Sequence, residues 1–459
     1  MKQKTISKII LAFTTATLLQ AQTNTSLESR VAQLEQNAAF WNNLKLGADY
    51  RFSYDNISYK MANGETKKNE SVLTNRLWLT MDYKPDEHIH FYTKLAFNKV
   101  FGQANVTDGG ITFDQFDWYG ATTNTDNQLR VKEAYIDYQG FSTFGVSIPW
   151  NLGVGRRPTS YNKLTSLRDD EDPSAPLGHI VAAEFDGGHL KFDFSEISSI
   201  PGMAVKFAIG RGMSSITSSK ASPTPLAKSG ENINMYGVNF IPYSTKKLHL
   251  EVQLLQATNL VDITSAGFDR FGNFNPANYN PALQVVGNMN MASAMVMYTM
   301  KNMNNTVLFA SYAYTQTDPN SGATMLGSQD KESGESYWIG AQTASPLSKD
   351  GKWGIEFNHG SKYFRPFTYG EDTVVGSKLA TRGNAYEVYF TEYLHKGLSM
   401  QLRYTYLDYA YTGSNGFFGS QTGTPIDIDT IKAYMSTTDL AANVTDTAQD
   451  LRLYVRYRF

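Results

Sequence analysis

From Asn43 to the last residue, apolar and polar side chains alternate in segments about ten residues long, and this period of two constrains the fold most strongly. Successive side chains of a strand point to opposite faces, so each segment has one oily and one polar side. Leu44, Leu46, Ala48, Tyr50, Phe52 and Tyr54 share a face, with Lys45, Asp49 and Arg51 on the other. Ile89, Phe91, Leu95 and Phe97 oppose His90, Tyr92, Lys94 and Asn98 in the same way. Leu248, Leu250, Val252 and Leu254 oppose His249, Glu251 and Gln253, and Leu398, Met400 and Leu402 oppose Ser399, Gln401 and Arg403. Strands of soluble sandwiches average ~5–6 residues, whereas a tilted strand crossing a bilayer uses ~9–11. The length predicts an all-β, antiparallel transmembrane β-barrel.

Composition narrows the alternatives. With 28 Tyr, 26 Phe and 36 Gly but only 18% charged residues, the chain is too aromatic for a disordered protein. Its mean hydropathy of -0.37 is too polar for a bundle of spanning helices, and no stretch approaches the ~20 apolar residues such a helix needs. A net charge of -2 gives no support to nucleic-acid binding. The absence of cysteine excludes disulfides, thiolate metal sites, a cysteine nucleophile and a cysteine-linked lipid anchor.

The connections alternate between short and long, as in barrels of the bacterial outer membrane. Short turns are expected at Pro85-Asp86, Gly140-Phe141, 197–202, Ser244-Thr245, 302–304, 345–351 and His395-Lys396. Long loops are expected at 55–71, 99–128, 150–188, 212–231, 258–288, 317–334, 361–384 and 409–448. This pattern gives about sixteen strands, with about fourteen or eighteen as the alternatives. The strand-like stretch 179–186 would make the number odd, so it is assigned to the third long loop.

The two ends carry their own signals. Lys2, Lys4 and Lys8 precede an apolar run at 9–19 and a small residue at Ala21, which predicts a signal peptide over 1–21. In 22–42, Leu27, Val31, Leu34, Ala38 and Trp41 repeat at heptad spacing. This predicts a short periplasmic helix, either an oligomerisation coil or a single helix at the barrel rim, before a barrel over 43–459. At the other end, Leu451, Leu453, Val455, Tyr457 and Phe459 are expected to face lipid, with Arg452, Arg456 and Arg458 facing inward.

In layout the chain resembles the sixteen-stranded general porins of Gram-negative outer membranes. With the coil and the segment 147–158, which ends Gly155-Arg156-Arg157-Pro158, it looks more narrowly like a porin-like family of epsilon-class proteobacteria. The resemblance implies a homotrimer in the cell outer membrane, in contact with outer-membrane lipids. It also implies that Tyr457 and Phe459 form the terminal strand signal read by the barrel-assembly machinery. General porins fold their third loop into the barrel as a constriction. In 150–188, Arg156 and Arg157 lie near the start, and Asp169, Asp170, Glu171 and Asp172 follow a dozen residues later. Opposed charges of this kind would set a transverse field across a pore. A solvated loop, or a calcium-binding acidic run, would use the same residues.

No catalytic signature appears. The 7 histidines have no partner at a diagnostic spacing, and no serine elbow, zinc-helix motif or phosphate loop is present. No cofactor or metal is expected, and the chain is not expected to be an enzyme. Inward parity places Lys45, Arg51, Arg76, Lys94, Lys191, Lys206, Arg403, Arg452, Arg456 and Arg458 against Asp49, Asp82, Asp193, Glu251 and Glu356. The expectation is a porin passing small hydrophilic solutes and ions with a weak anion preference. A solute-specific channel for a sugar or organic anion, a closed barrel acting as an adhesin, and a barrel-embedded hydrolase are the alternatives.

Overall fold

The protein is described by a computed structural model over residues 40–100, 129–158, 162–213, 232–269 and 271–459, together with Ser29, Val31, Glu35 and Ala38. Sixteen strands form one closed antiparallel barrel, each paired with its neighbours in sequence and the last with the first. The first half comprises β1 (Leu44–Met61), β2 (Thr66–Tyr83), β3 (Ile89–Val100), β4 (Arg130–Gly140), β5 (Trp150–Pro158), β6 (Glu184–Asp193), β7 (Ala204–Met213) and β8 (Ile233–Ser244). The second comprises β9 (Leu248–Phe268), β10 (Phe274–Met300), β11 (Thr306–Pro319), β12 (Ser333–Ala344), β13 (Lys352–Gly360), β14 (Gly383–His395), β15 (Leu398–Tyr409) and β16 (Thr445–Arg458). Closure leaves no unpaired edge, which is the condition for a sheet to lie in lipid. β1 and β16 seal it through pairs such as Arg51 with Arg456 and Phe52 with Val455.

The period of two becomes an inside and an outside. Leu451, Leu453, Val455 and Tyr457 are exposed on the outer wall, while Arg452 and Arg456 between them are buried in the lumen. The strand number and the parity of the ends agree with the alternation of connections.

Several boundaries differ from expectation. The segment 55–71 is a hairpin rather than a loop: β1 and β2 pair up to Lys60 and Thr66, and only 62–65 turn, with Gly64 at φ 86°. Likewise 258–288 is mostly strand, since β9 and β10 continue as a ribbon to Phe268 and Phe274. Beyond the bilayer neither face of a ribbon must be apolar, so the alternation that marks a spanning strand disappears. The expected turn at Gly140-Phe141 extends over 141–149, where Thr143 and Val146 exchange backbone hydrogen bonds of 2.9 and 3.0 Å. Consequently Trp150–Pro158, expected within the third long loop, is the strand β5. Its Gly153 and Gly155 obscured the pattern. The described part of the third long loop is 162–183, and Glu184 begins β6.

The expected signal peptide over 1–21, and Leu27 and Leu34 of the expected coil, lie outside the described residues, as do 101–128 and 214–231. Val31 is helical and 45% exposed. Residues 40–43 are helical and lead directly into β1, with the Phe40 ring 5.1 Å from that of Tyr83.

The barrel is filled by its own loops. The third long loop carries α1 (Thr165–Asp169) and meets the seventh (361–382) through a parallel bridge between Val181 and Phe367. Ala182 N donates to Phe367 O at 2.8 Å, Phe367 N to Ile180 O at 2.8 Å and Gly370 N to Ala182 O at 2.7 Å. Around this bridge Ile180, Val181, Phe364, Phe367, Phe417 and Phe418 pack against Met235, Val261, Met289, Met291 and Ala313 on the inner wall. Fully burying one such phenylalanine stabilises the docked loops by roughly 1.5–3 kcal/mol. A second cluster joins Leu164 and Leu177 to Phe309, Trp338 and Leu379.

Candidate permeation path through the lumen

One wall of the lumen is a set of arginines. Arg51 from β1, Arg76 from β2, Arg403 from β15, and Arg452 and Arg456 from β16 are all at most 5% exposed. Charges buried to this degree persist only when paired. The partners come from the loops and from the wall itself. Asp372 of the seventh loop takes Arg51 through both carboxylate oxygens and lies 3.2 Å from Arg452 and 3.6 Å from Arg76. Asp49 accepts from Arg456 Nε at 2.9 Å and lies 3.4 Å from Arg76, and Asp55 pairs with Arg452. Arg76 also stacks over Trp78, 3.4 Å from the ring centre.

α1 carries the third loop into this network. Arg168 binds Asp169 and Glu371, each at 2.8 Å, and Glu387 of β14 at 3.3 Å. Asp170 ends the helix in the left-handed region, with φ 51°, which turns its carboxylate toward Lys352 (2.5 Å) and Arg458 (2.7 Å). Glu171 pairs with Arg456. Burial raises the Asp170 pKa, but Lys352, Tyr393 and Arg458 outweigh it and bring the carboxyl down to about 2. Burial likewise opposes ionisation of Asp372, yet Arg51 and Arg452 hold it well below the usual carboxylate range. The arginines therefore do not present a free basic ring to solvent.

The expected candidates are placed unequally. Asp169, Asp170 and Glu171 stand against the arginine wall, and exposed Asp172 lines a cavity of about 590 Å3 with Asp82, His90, Tyr92, Glu133 and Lys94. Arg156 and Arg157 are not opposite this run. Arg157 has inward parity, donates to Asp137 Oδ1 at 2.6 Å and lies 4.0 Å from the Tyr135 ring centre. Arg156 pairs in register with Ala134 and Asp186, takes the outward parity with Leu152 and Val154, and lies 3.5 Å from Asp186. Lys94 binds Glu133 at 2.8 Å, and Lys45 is exposed at the rim. Tyr457 is exposed on the outer wall, and the Phe459 backbone exchanges hydrogen bonds of 3.1 Å with Ala48.

Sequence reasoning missed Arg168, Glu371, Asp372 and Lys378, which organise the buried network, Lys378 by binding Glu356 at 2.6 Å and Glu387. They sit in loops without periodicity, so only their folding into the lumen reveals them. It also missed a serine–histidine–glutamate chain across the turn between β8 and β9. His249 Nδ1 lies 2.8 Å from Ser244 Oγ, and its Nε2 lies 2.8 Å from Glu251 Oε2. With His249 and Glu251 2% and 3% exposed, this chain ties the turn to the wall. Among the described residues no group of three or more His, Asp or Glu is placed to hold a metal.

A family model described as "Protein of unknown function (DUF3373)" matches residues 66–459. The chain belongs to this family. No curated protein matches this DUF3373 chain. Among solved structures, it is similar to Pseudomonas putida OprB at high pH, with 11% identity and a TM-score of 0.49 over 93% of this chain and 96% of that one. It is also similar to an anion-selective porin from Comamonas acidovorans, with 12% identity and a TM-score of 0.48 over 91% and 99%. Salmonella typhi OmpF in complex with daunomycin gives 10% identity and a TM-score of 0.46 over 92% and 99%.

Proposed function

We propose that this DUF3373 protein is a channel of the bacterial outer membrane that passes small hydrophilic solutes and ions passively, with a weak anion preference. The observation that carries this reading is the closed sixteen-stranded barrel whose outward side chains are apolar and whose inward ones are charged. The loop acids and arginines around Asp170, Glu171 and Arg456 then form the narrowest part of the route. Export by a signal peptide over 1–21, insertion through the terminal strand ending in Tyr457 and Phe459, and assembly as a homotrimer aided by Leu27, Val31 and Leu34 belong to this reading.

The apolar packing of Phe364, Phe367, Phe417 and Phe418 inside the mouth favours a second reading, a closed barrel whose outer loops act as a surface protein. Single-channel recording in planar bilayers separates the two. Stepwise conductance in simple salts, with a reversal potential on the anion side of zero selectivity, is the expected result. A protein that is folded, heat-modifiable and silent in every salt would refute the channel.

A further inference from the structure

The wall opposite the arginines is built differently. Across β5–β8 its inward positions include a run of small ones, Gly153, Gly155, Gly187, Ala208, Gly210 and Gly237. On this wall Lys191 of β6 and Lys206 of β7 are direct cross-strand partners. Like charges placed opposite each other on a sheet repel. Neither lysine makes a hydrogen bond or ion pair with any of the described residues. Most other lumen cations meet a loop or wall carboxylate, and Arg365 and Arg382, which do not, donate to backbone carbonyls and, for Arg365, to the Tyr369 hydroxyl. The lysine pair has neither kind of partner among the described residues.

Beside it lies a cavity of about 90 Å3, roofed by Pro176 and Val181 of the third loop. That is space for a few waters or one anion of about half a dozen heavy atoms. Its polar side consists of Lys206, Arg157, His189, Asn239 and Gln253, and no carboxylate lines it. Asp137 holds Arg157, and Asn239 donates to Glu251 Oε1 at 2.7 Å, so Lys206 is the cation left for a ligand. Two atoms here lack a partner although their side chains are at most 7% exposed: Nδ1 of His189 and Oε1 of Gln253. His189 Nε2 is engaged with Asn151 Oδ1 at 2.6 Å, where it is the donor, which leaves Nδ1 as an acceptor. The cavity thus offers one cation without a hydrogen-bonded or ion-paired partner among the described residues, and two unfilled acceptors, with Phe185, Met235 and Ala208 as an apolar side.

We infer that this cavity binds a small anion that also carries a hydroxyl donor, with a hydroxycarboxylate of two or three carbons as the best fit. Its carboxylate pairs with Lys206, its hydroxyl donates to Gln253 or His189, and its short carbon chain meets Phe185 and Met235. Monobasic phosphate shares the anion-plus-hydroxyl chemistry but has nothing for the apolar side. This deepens the channel reading, because a solute reaches the cavity through the lumen.

The test uses the full-length protein in detergent, titrated calorimetrically with sodium lactate, propionate or phosphate against a background of gluconate, which is too large for the cavity. Lactate and propionate differ by the hydroxyl alone. Lactate is expected to bind roughly tenfold more tightly than propionate, as one buried hydrogen bond allows. Lys206→Met should abolish binding of both and raise the melting temperature in gluconate, because the repulsion with Lys191 is gone. Lys191→Met should raise the melting temperature similarly while keeping the preference for lactate. Phosphate binding without lactate binding would overturn the hydroxycarboxylate assignment, and no anion binding better than gluconate would overturn the site. Lactate binding by a protein that never conducts would refute the channel and leave the site standing, whereas conductance without Lys206-dependent binding would do the reverse.

Discussion

Asp372 is the carboxylate on which the docking of the seventh loop depends, and replacing it with Asn isolates that dependence. Arg452 would keep Asp55, and Arg76 would keep Asp49, so the main loss falls on Arg51, whose one carboxylate partner among the described residues is Asp372. Removing one member of a buried ion pair costs ~3–5 kcal/mol, because the other charge is left desolvated. With Arg452 and Arg76 still compensated, the lower figure applies, about 3 kcal/mol. This corresponds to roughly a hundredfold shift toward the undocked loop. Hydrogen exchange over 361–382 in the detergent-solubilised protein should accelerate by about that factor, and the melting temperature should fall. The double variant Arg51→Met, Asp372→Leu removes both charges and should recover most of the loss. Unchanged exchange in Asp372→Asn, or an equal loss in the double variant, would show that Asp372 does not hold the loop.

Two further outcomes follow from the loop contacts. His179 of the third loop is fully buried between Ser311 Oγ (2.8 Å) and Ser336 Oγ (2.9 Å), and burial pushes its pKa down to about 3. The unfolded chain takes up a proton near pH 6.5 and the folded one does not, so stability is full above about 6.5 and falls as pH drops toward 3. At pH 5 the loss is about 2 kcal/mol. His179→Gln should flatten the dependence of melting temperature on pH between 7 and 5, and identical slopes would refute it. Phe364→Ala, at a residue with 0% exposure under the loop bridge, should cost ~3–5 kcal/mol. A melting curve unchanged from the parent protein would show that the apolar cluster does not hold the loops in the barrel.

The period of two in the sequence determined the architecture, because a strand in a barrel wall meets lipid on one side and the lumen on the other. Leu451 to Phe459 displays this directly, and the short-long alternation of connections supplied the strand number and the position of both ends. The same rule failed at Trp150–Pro158, where Gly153 and Gly155 put no polar side chains on the inward face and Arg156 interrupts the outward apolar one, and at the ribbons ending near Met61 and Phe268, which rise beyond the lipid. Sequence also named the charges of the interior, but not their partners. Whether Asp169 to Asp172 would meet Arg156 and Arg157 or the arginines of β1 and β16 depended on how the third loop folds back. Only the tertiary structure decided this, by joining that loop to the seventh through Val181 and Phe367 and delivering Asp372 to Arg51 across more than three hundred residues. Contacts at such separations leave no local pattern, because they follow from the closure of the barrel and the volume it must fill.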